Sequence, residues 1–263
     1  MNKIFALSVF TMLLLIGCQI KESITSSTKT SNTELNELST QFLKNLKDGK
    51  PTTDIQQELA DWDMVDLKQA LQTDAHKYAF WINIYNAYIQ VILKDQPALY
   101  DDRRNFFSKK QIKIAGENFS FVIIEHGILR KSQWPLGVGY ITKWFPGKLE
   151  RQLRVKKRDY HIHFALNCGA KDCPPVPFCN PENLNYQFAT IAKQYLQKTS
   201  IYSQSDETLK VTALFSWFRG DFGGKKGIRK ILEKYDVVPN GENFDVAFKD
   251  YDWSLYLDNY IES

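Results

Sequence analysis

The sequence predicts an α+β fold in a single globular domain, with a central buried helix packed on a mixed or antiparallel sheet. Three observations carry this reading. Residues 76–93 hold the strongest helical pattern, with Phe80, Trp81, Ile82, Ile84, Tyr85, Tyr88, Ile89, Val91, Ile92 and Leu93 apolar around nearly the whole circumference. A helix without a broad polar face belongs inside a domain. Period-two alternation at 111–121, 161–167 and 209–215 reads as strands. Helices and strands also follow one another without a regular βαβ rhythm, which argues against a parallel α/β sheet.

In chain order, Lys3 supplies a positive start, and residues 4–16 are an almost unbroken apolar run too short to span a bilayer. The run ends Leu15-Ile16-Gly17-Cys18, which resembles the lipobox of bacterial lipoproteins. That resemblance implies that residues 1–17 are removed, that Cys18 is acylated, and that the chain hangs from a membrane by lipid. The bland alternative is an ordinary secretory signal with a chance cysteine. Gln19 is compatible with the periplasmic side of the outer membrane, so the cell envelope is the expected location. Residues 18–33 are polar and rich in Ser and Thr, the composition of a flexible tether. From 34 to 263 the composition is globular, and about 230 residues suffice for one domain with a core.

Leu35, Leu38, Phe42, Leu43 and Leu46 recur at helical spacing and stop before Asp48-Gly49-Lys50-Pro51, a helix terminator. Residues 54–71 give a weaker helical pattern, and Asp74 is the expected N-cap of the central helix. Residues 111–121 read as a hairpin around a Gly-containing turn, after which Ser120 caps a short helix through Arg130. Residues 161–167 read as a strand with Ile162, Phe164 and Leu166 on one face and His161, His163 and Asn167 on the other. Residues 181–197 and 225–235 are helical, the latter basic and ending near Pro239.

The formal net charge of +4 is too small to imply a nucleic-acid partner. The cluster Lys148, Arg151, Arg154, Lys156, Lys157 and Arg158 is the exception, read as a solvated helix face or as an anion- or lipid-binding patch. With Cys18 acylated, Cys168, Cys173 and Cys179 remain, and three cannot all pair within one molecule. No cofactor motif is visible.

Five blocks then stand out: Phe80 to Asn86 (FWINIYN), Ile124 to Arg130 (IEHGILR), His163 to Gly169 (HFALNCG), Cys173 to Pro175 (CPP) and Tyr251 to Leu255 (YDWSL). In this order they resemble the signature blocks of the DUF547 domain family, whose function is undefined.

The residues themselves leave three chemistries open. Asn83, Asn86, Gln90 and Lys94 form one polar stripe on the central helix, either bonded to backbone or lining a pocket. As a binding or scaffolding module for an unknown protein or small molecule, the chain offers a cleft lined by Asn83, Asn86, Arg130 and Asn167. As a thiol hydrolase or transferase, it offers Cys168 as nucleophile, His126 or His163 as base, Glu125 beside His126, and the Gly169 N–H toward an oxyanion. As a zinc protein, it offers His161, His163, Cys168, Cys173 and Cys179 within a short span, although the spacing is not that of common zinc modules. Because each interrupts an otherwise apolar or structural pattern, Asn83, Asn86, His126, Arg130, His163 and Cys168 are expected to converge on one cleft.

Overall fold

The structure, a computed structural model, describes residues 34–238 and 244–261; the expected leader, Cys18, the tether and the turn at Pro239 lie outside them. About half of the described residues are helical, and among them lie one two-stranded and one three-stranded sheet, an α+β domain. Among the described residues no helix is long and apolar enough to cross a membrane.

Helix α1 spans 34–47 and buries Leu35, Phe42 and Leu43. Gly49, at φ +67°, ends it with paired bonds, Lys50 N–H to the Asn45 carbonyl at 2.7 Å and Gly49 N–H to Leu46 at 3.3 Å. This is the glycine-dependent stop that Asp48-Gly49 predicts. The helical pattern at 54–71 divides into α2 (Thr53–Asp61) and α3 (Met64–Ala70), because Trp62 turns extended and Asp63 caps the new helix by accepting from Val65 N–H.

Helix α4 (Asp74–Asp95) is the centre of the fold: Phe80, Trp81, Ile82, Ile84 and Ile89 have no exposed surface. Its N-cap is Thr73, whose hydroxyl accepts from His76 N–H at 3.2 Å, and not Asp74. Asp74 lies one position inside the helix, and its carboxylate accepts from the backbone N–H groups of Lys156 and Lys157.

Helix α5 (Arg103–Ser108) leads to the predicted hairpin, β1 (Ile112–Ile114) antiparallel to β2 (Glu117–Phe119). Ala115 and Gly116 both take positive φ, the geometry of a tight hairpin turn, and their N–H groups donate to Leu59 and Ala60 at the end of α2. This small sheet is the one that α4 meets, through the Trp81 and Phe119 rings with centroids 5.0 Å apart. The Ser120 hydroxyl then accepts from Ile123 N–H, as the cap reading expects, and opens a π-helix over Ile123–Leu129.

After α6 (Lys148–Leu153), residues 161–167 depart from prediction. They are not a strand: Tyr160–Phe164 is a 3-10 helix, capped by Asp159, and Ala165 to Asn167 are irregular. The edge that a neighbouring strand would satisfy is held instead by one side chain. Asn86 donates to the Ala165 carbonyl at 2.9 Å and accepts from Asn167 N–H at 2.8 Å.

Helix α7 (Leu184–Thr199) and α9 (Gly224–Lys234) enclose a second apolar cluster with β4 (Thr208–Val211). β4 pairs antiparallel with β3 (Ile201–Ser203) and parallel with β5 (Asp245–Phe248). The strand expected at 209–215 ends at Val211, and Leu214–Trp217 forms the short helix α8. The mixed sheet therefore serves this second cluster and lies outside the cluster built on the central helix.

Candidate functional site

A cavity of about 240 Å³ opens where the two clusters meet. Tyr85 of α4 and Phe107 of α5 line it, with Phe121, Val122, Glu125 and His126 from the start of the π-helix. His163 comes from the 3-10 helix, Leu166, Cys168 and Cys173 from the irregular chain after it, and Leu214, Trp217 and Phe218 from α8 and its end. Tyr251 and Trp253 complete the wall. Trp217 stacks on Trp253 with centroids 5.4 Å apart, and Tyr251 lies within 5 Å of both, so one wall is an aromatic tray.

The π-turn matters for what faces the cavity. Its wide spacing, with Arg130 N–H donating to the Glu125 carbonyl, places Glu125 and His126 at the cavity and turns Arg130 behind them. Gly127 permits the tight packing beneath, since a Cβ there would lie 3.0 Å from the Glu150 side chain.

Behind the cavity, Asp221 is a hub. Its Oδ2 accepts from Arg130 Nε at 2.6 Å and from His163 Nε2 at 2.9 Å, and its Oδ1 from Arg158 Nη1 at 2.6 Å. Arg130 also donates to His126 Nδ1, which leaves the His126 proton on Nε2, toward Glu125. The Arg130 guanidinium and the His163 ring both lie over Phe218. Burial holds His126 well below the ordinary imidazole range, with Arg130 adding to the effect, so it is neutral. His163 is pulled down to about 4, chiefly by burial, against its bond to Asp221. Asp221 is itself held at about 2 despite burial, by His163 and Arg130.

Glu125 goes the other way. Burial pushes its carboxyl up to about 7, against the pull of Arg130. Because the ordinary value is 4.5, the native state keeps a proton between these pH values that the unfolded chain has lost. Stability is unaffected below that range and declines as pH rises through 7. Glu125→Gln removes the titration, so its stability advantage over the parent should grow by about 3 kcal/mol between about pH 4 and pH 8, by urea unfolding. A gap that stays flat with pH would show that the carboxyl is hydrated and ordinary.

The cavity gathers Glu125, His126, His163 and Cys168 from two segments, and leaves out Asn83, Asn86, Arg130 and Asn167. The reason is the amide stripe. Asn83 accepts from Cys179 N–H and donates to the Cys179 carbonyl, both at 2.9 Å, while Gln90 accepts from Asp258 N–H. Asn167 donates to Pro174 O and accepts from Gly169 N–H. Asn83 and Gln90 fasten distant segments to α4, Asn167 ties its own loop together, and none of them lines the cavity.

Cys168 is also not a free thiol: it is joined to Cys173, with Cα atoms 6.3 Å apart. Cys179 is buried and free, its thiol pushed up to about 12 by burial. The Gly169 N–H, the expected oxyanion donor, is occupied by Asn167 Oδ1 at 2.9 Å, and the neighbouring Cys168 N–H lies on the Cys173 sulfur at 3.0 Å. Nor do the zinc candidates form a ligand set. His161 turns away to Asp159 and Tyr235, and among the described residues no group of three His, Cys, Asp or Glu is placed to hold a metal ion.

Residues 69–196 match a family described as a protein of unknown function, DUF547. The chain carries a DUF547 domain. No curated protein and no solved structure matches it. The matched segment supplies Tyr85, Glu125, His126, His163 and the paired cysteines, whereas Asp221 and the tray of Trp217, Tyr251 and Trp253 come from beyond it. The DUF547 segment thus provides the titratable side of the cavity, and the C-terminal part closes it. Asp221 escaped the sequence reading. Its signal was the Gly220-Asp221 pair: Gly220 and Gly139 let two backbones touch, where a Cβ on Gly139 would come within 2.6 Å of Asp221 N.

Proposed function

We propose that this chain is a cell-envelope lipoprotein, anchored through Cys18 on the periplasmic side of the outer membrane, whose DUF547 domain binds the aromatic or apolar part of a small molecule or protein segment. The observation that carries this is the cavity wall, which is aromatic and aliphatic over most of its extent and closed by the Trp217–Tyr251–Trp253 tray. Such a wall gains free energy by covering an apolar group. Its titratable members, neutral His126 and His163 and the Glu125 carboxyl, suit an uncharged guest below neutral pH. Occupied N–H groups and a paired Cys168 favour binding over catalysis.

The test uses N-phenyl-1-naphthylamine, an uncharged aromatic dye. It should bind at one site, brighten, and quench tryptophan emission. Leu214→Trp, which fills the cavity from α8, should weaken binding by about tenfold with unchanged circular dichroism. Equal affinity in both proteins would place the dye elsewhere and remove the cavity from the proposal. Fatty-acid labelling that disappears in Cys18→Ser tests the anchor.

A second reading, a thiol hydrolase or transferase, has one observation in its favour. His163, oriented by Asp221, shares the cavity with Cys168, the base-and-orienter pair that thiol catalysis uses once the cysteine is reduced. Under that reading Cys168, after reduction, is alkylated faster than Cys173 and Cys179.

A further inference from the structure

We propose that the loop 134–145 seats the domain on an anionic phospholipid bilayer, its aromatic side chains entering the headgroup layer. Trp144 is 88% and Phe145 92% exposed, with Leu136 at 78% and Tyr140 at 62%. Half of the large apolar side chains exposed among the described residues fall within these twelve positions. Scattered exposed apolar residues need no explanation, but a contiguous set marks a surface with a partner.

The exposure does not come from a loose chain. Trp134 N–H donates to the Ile141 carbonyl, Lys143 N–H to Ser132 and Gly220 N–H to Val138, each at 2.8 Å. The loop is pinned at its base and presents its tip outward.

The basic cluster singled out in the sequence explains which partner. It does not form one helix face, because α6 ends at Leu153. The chain instead follows the loop: Arg151 donates to the Pro146 carbonyl at 2.8 Å, Arg154 to the Ser132 hydroxyl at 3.0 Å and Arg158 to the Gly139 carbonyl at 2.9 Å. Lys131, Lys148, Lys156 and Lys157 remain exposed around it. Of the nearby carboxylates, Glu150 is paired with Lys143 and Asp221 with Arg130 and Arg158, while Asp74 is held by the backbone N–H groups of Lys156 and Lys157. An apolar tip of Trp, Tyr and Phe ringed by cations is the composition of a side chain set for the membrane interface. Anionic headgroups meet the cations while the rings displace water from the acyl boundary. The surface is separate from the cavity, and its contact with a bilayer does not require acylation of Cys18.

The experiment places the full chain with vesicles of phosphatidylglycerol and phosphatidylcholine whose acyl chains carry bromine, which quenches tryptophan on contact. Emission should be quenched, most of that quenching should be lost in Trp144→Phe, and vesicles of phosphatidylcholine alone should quench less. Trp144 and Phe145 are exposed enough that Trp144→Phe and the pair Trp144→Ser with Phe145→Ser should melt at the parent's temperature. Absence of quenching, or quenching undiminished in Trp144→Phe, overturns the proposal. So does lipid-free self-association that the Trp144→Ser, Phe145→Ser pair abolishes without any vesicle quenching, which would assign the face to a second copy of the chain.

Discussion

Asp221→Asn should cost about 3–5 kcal/mol of folding stability, the loss that follows when one partner of a buried ion pair is removed. Arg130 is only 1% exposed, and its Nε rests on Asp221 Oδ2. Asparagine keeps the shape and one acceptor but removes the charge, leaving a guanidinium with no counter-ion in the interior. His163, whose Nε2–H donates to the same oxygen, loses its orienting partner together with Arg130. Arg158→Gln is the control. That side chain is 38% exposed, so its share of the hub is screened and its loss should cost less than about 1 kcal/mol. The pH dependence has a definite sign. The Asp221 carboxyl is depressed from 3.8 to about 2, so its stabilisation is complete above 3.8 and is lost as pH falls through 2. The gap between parent and variant, measured by urea unfolding, should be level from neutral pH to about pH 5 and narrow under stronger acid. A variant within about 1 kcal/mol of the parent at neutral pH would mean that water reaches Arg130 and that the hub is a surface cluster.

What could be read in the sequence divides along physical lines. The helices were legible because burial on several sides leaves a run such as residues 76–93 with few other interpretations. Gly49 and Ser120 were legible because local chemistry decides a helix stop or cap. The alternation at 161–167 misled because period two marks a strand only when a neighbouring backbone completes the ladder. Here Asp159 turns the chain into a 3-10 helix, and the Asn86 amide supplies the donor and acceptor that a strand would have given.

The amide stripe was visible as a stripe, and its need for polar partners was clear. Its partners were not, because they are backbone groups of segments far away in sequence, at Cys179, Ala165 and Asp258. An amide presents the same donor and acceptor as a peptide group, so Asn83 and Asn86 can each close a two-bond clasp on passing chain. Of the six residues expected to converge because they interrupt apolar patterns, His126, His163 and Cys168 reach one cavity, and Asn83, Asn86 and Arg130 do not. The aromatic tray did not, since Trp217 and Trp253 meet only through the tertiary fold.

Trp81→Ala should destabilise the domain by about 3–5 kcal/mol, the cost of truncating a buried aromatic side chain. The indole has no exposed surface and lies between Phe80 and Phe119, each with its ring centroid 5.0 Å away. Its removal would leave a void between the central helix and the hairpin, where neither neighbour can easily move. Phe119 is fixed by the β1–β2 ladder, and the hairpin turn is fixed in turn by its bonds to Leu59 and Ala60. A site that cannot collapse pays near the upper end of the range. Trp81→Phe separates the two parts of the effect. The indole Nε1–H is buried with no acceptor among the described residues, so phenylalanine gives up volume but also relieves an unsatisfied donor worth about 1–3 kcal/mol. Its net cost should therefore be well below that of alanine. Trp144→Ala, which removes the same side chain from an exposed position, should leave the unfolding midpoint unchanged. If Trp81→Ala unfolds at the parent's midpoint, α4 is peripheral to stability, and the fold is held instead by the cluster around α7 and α9.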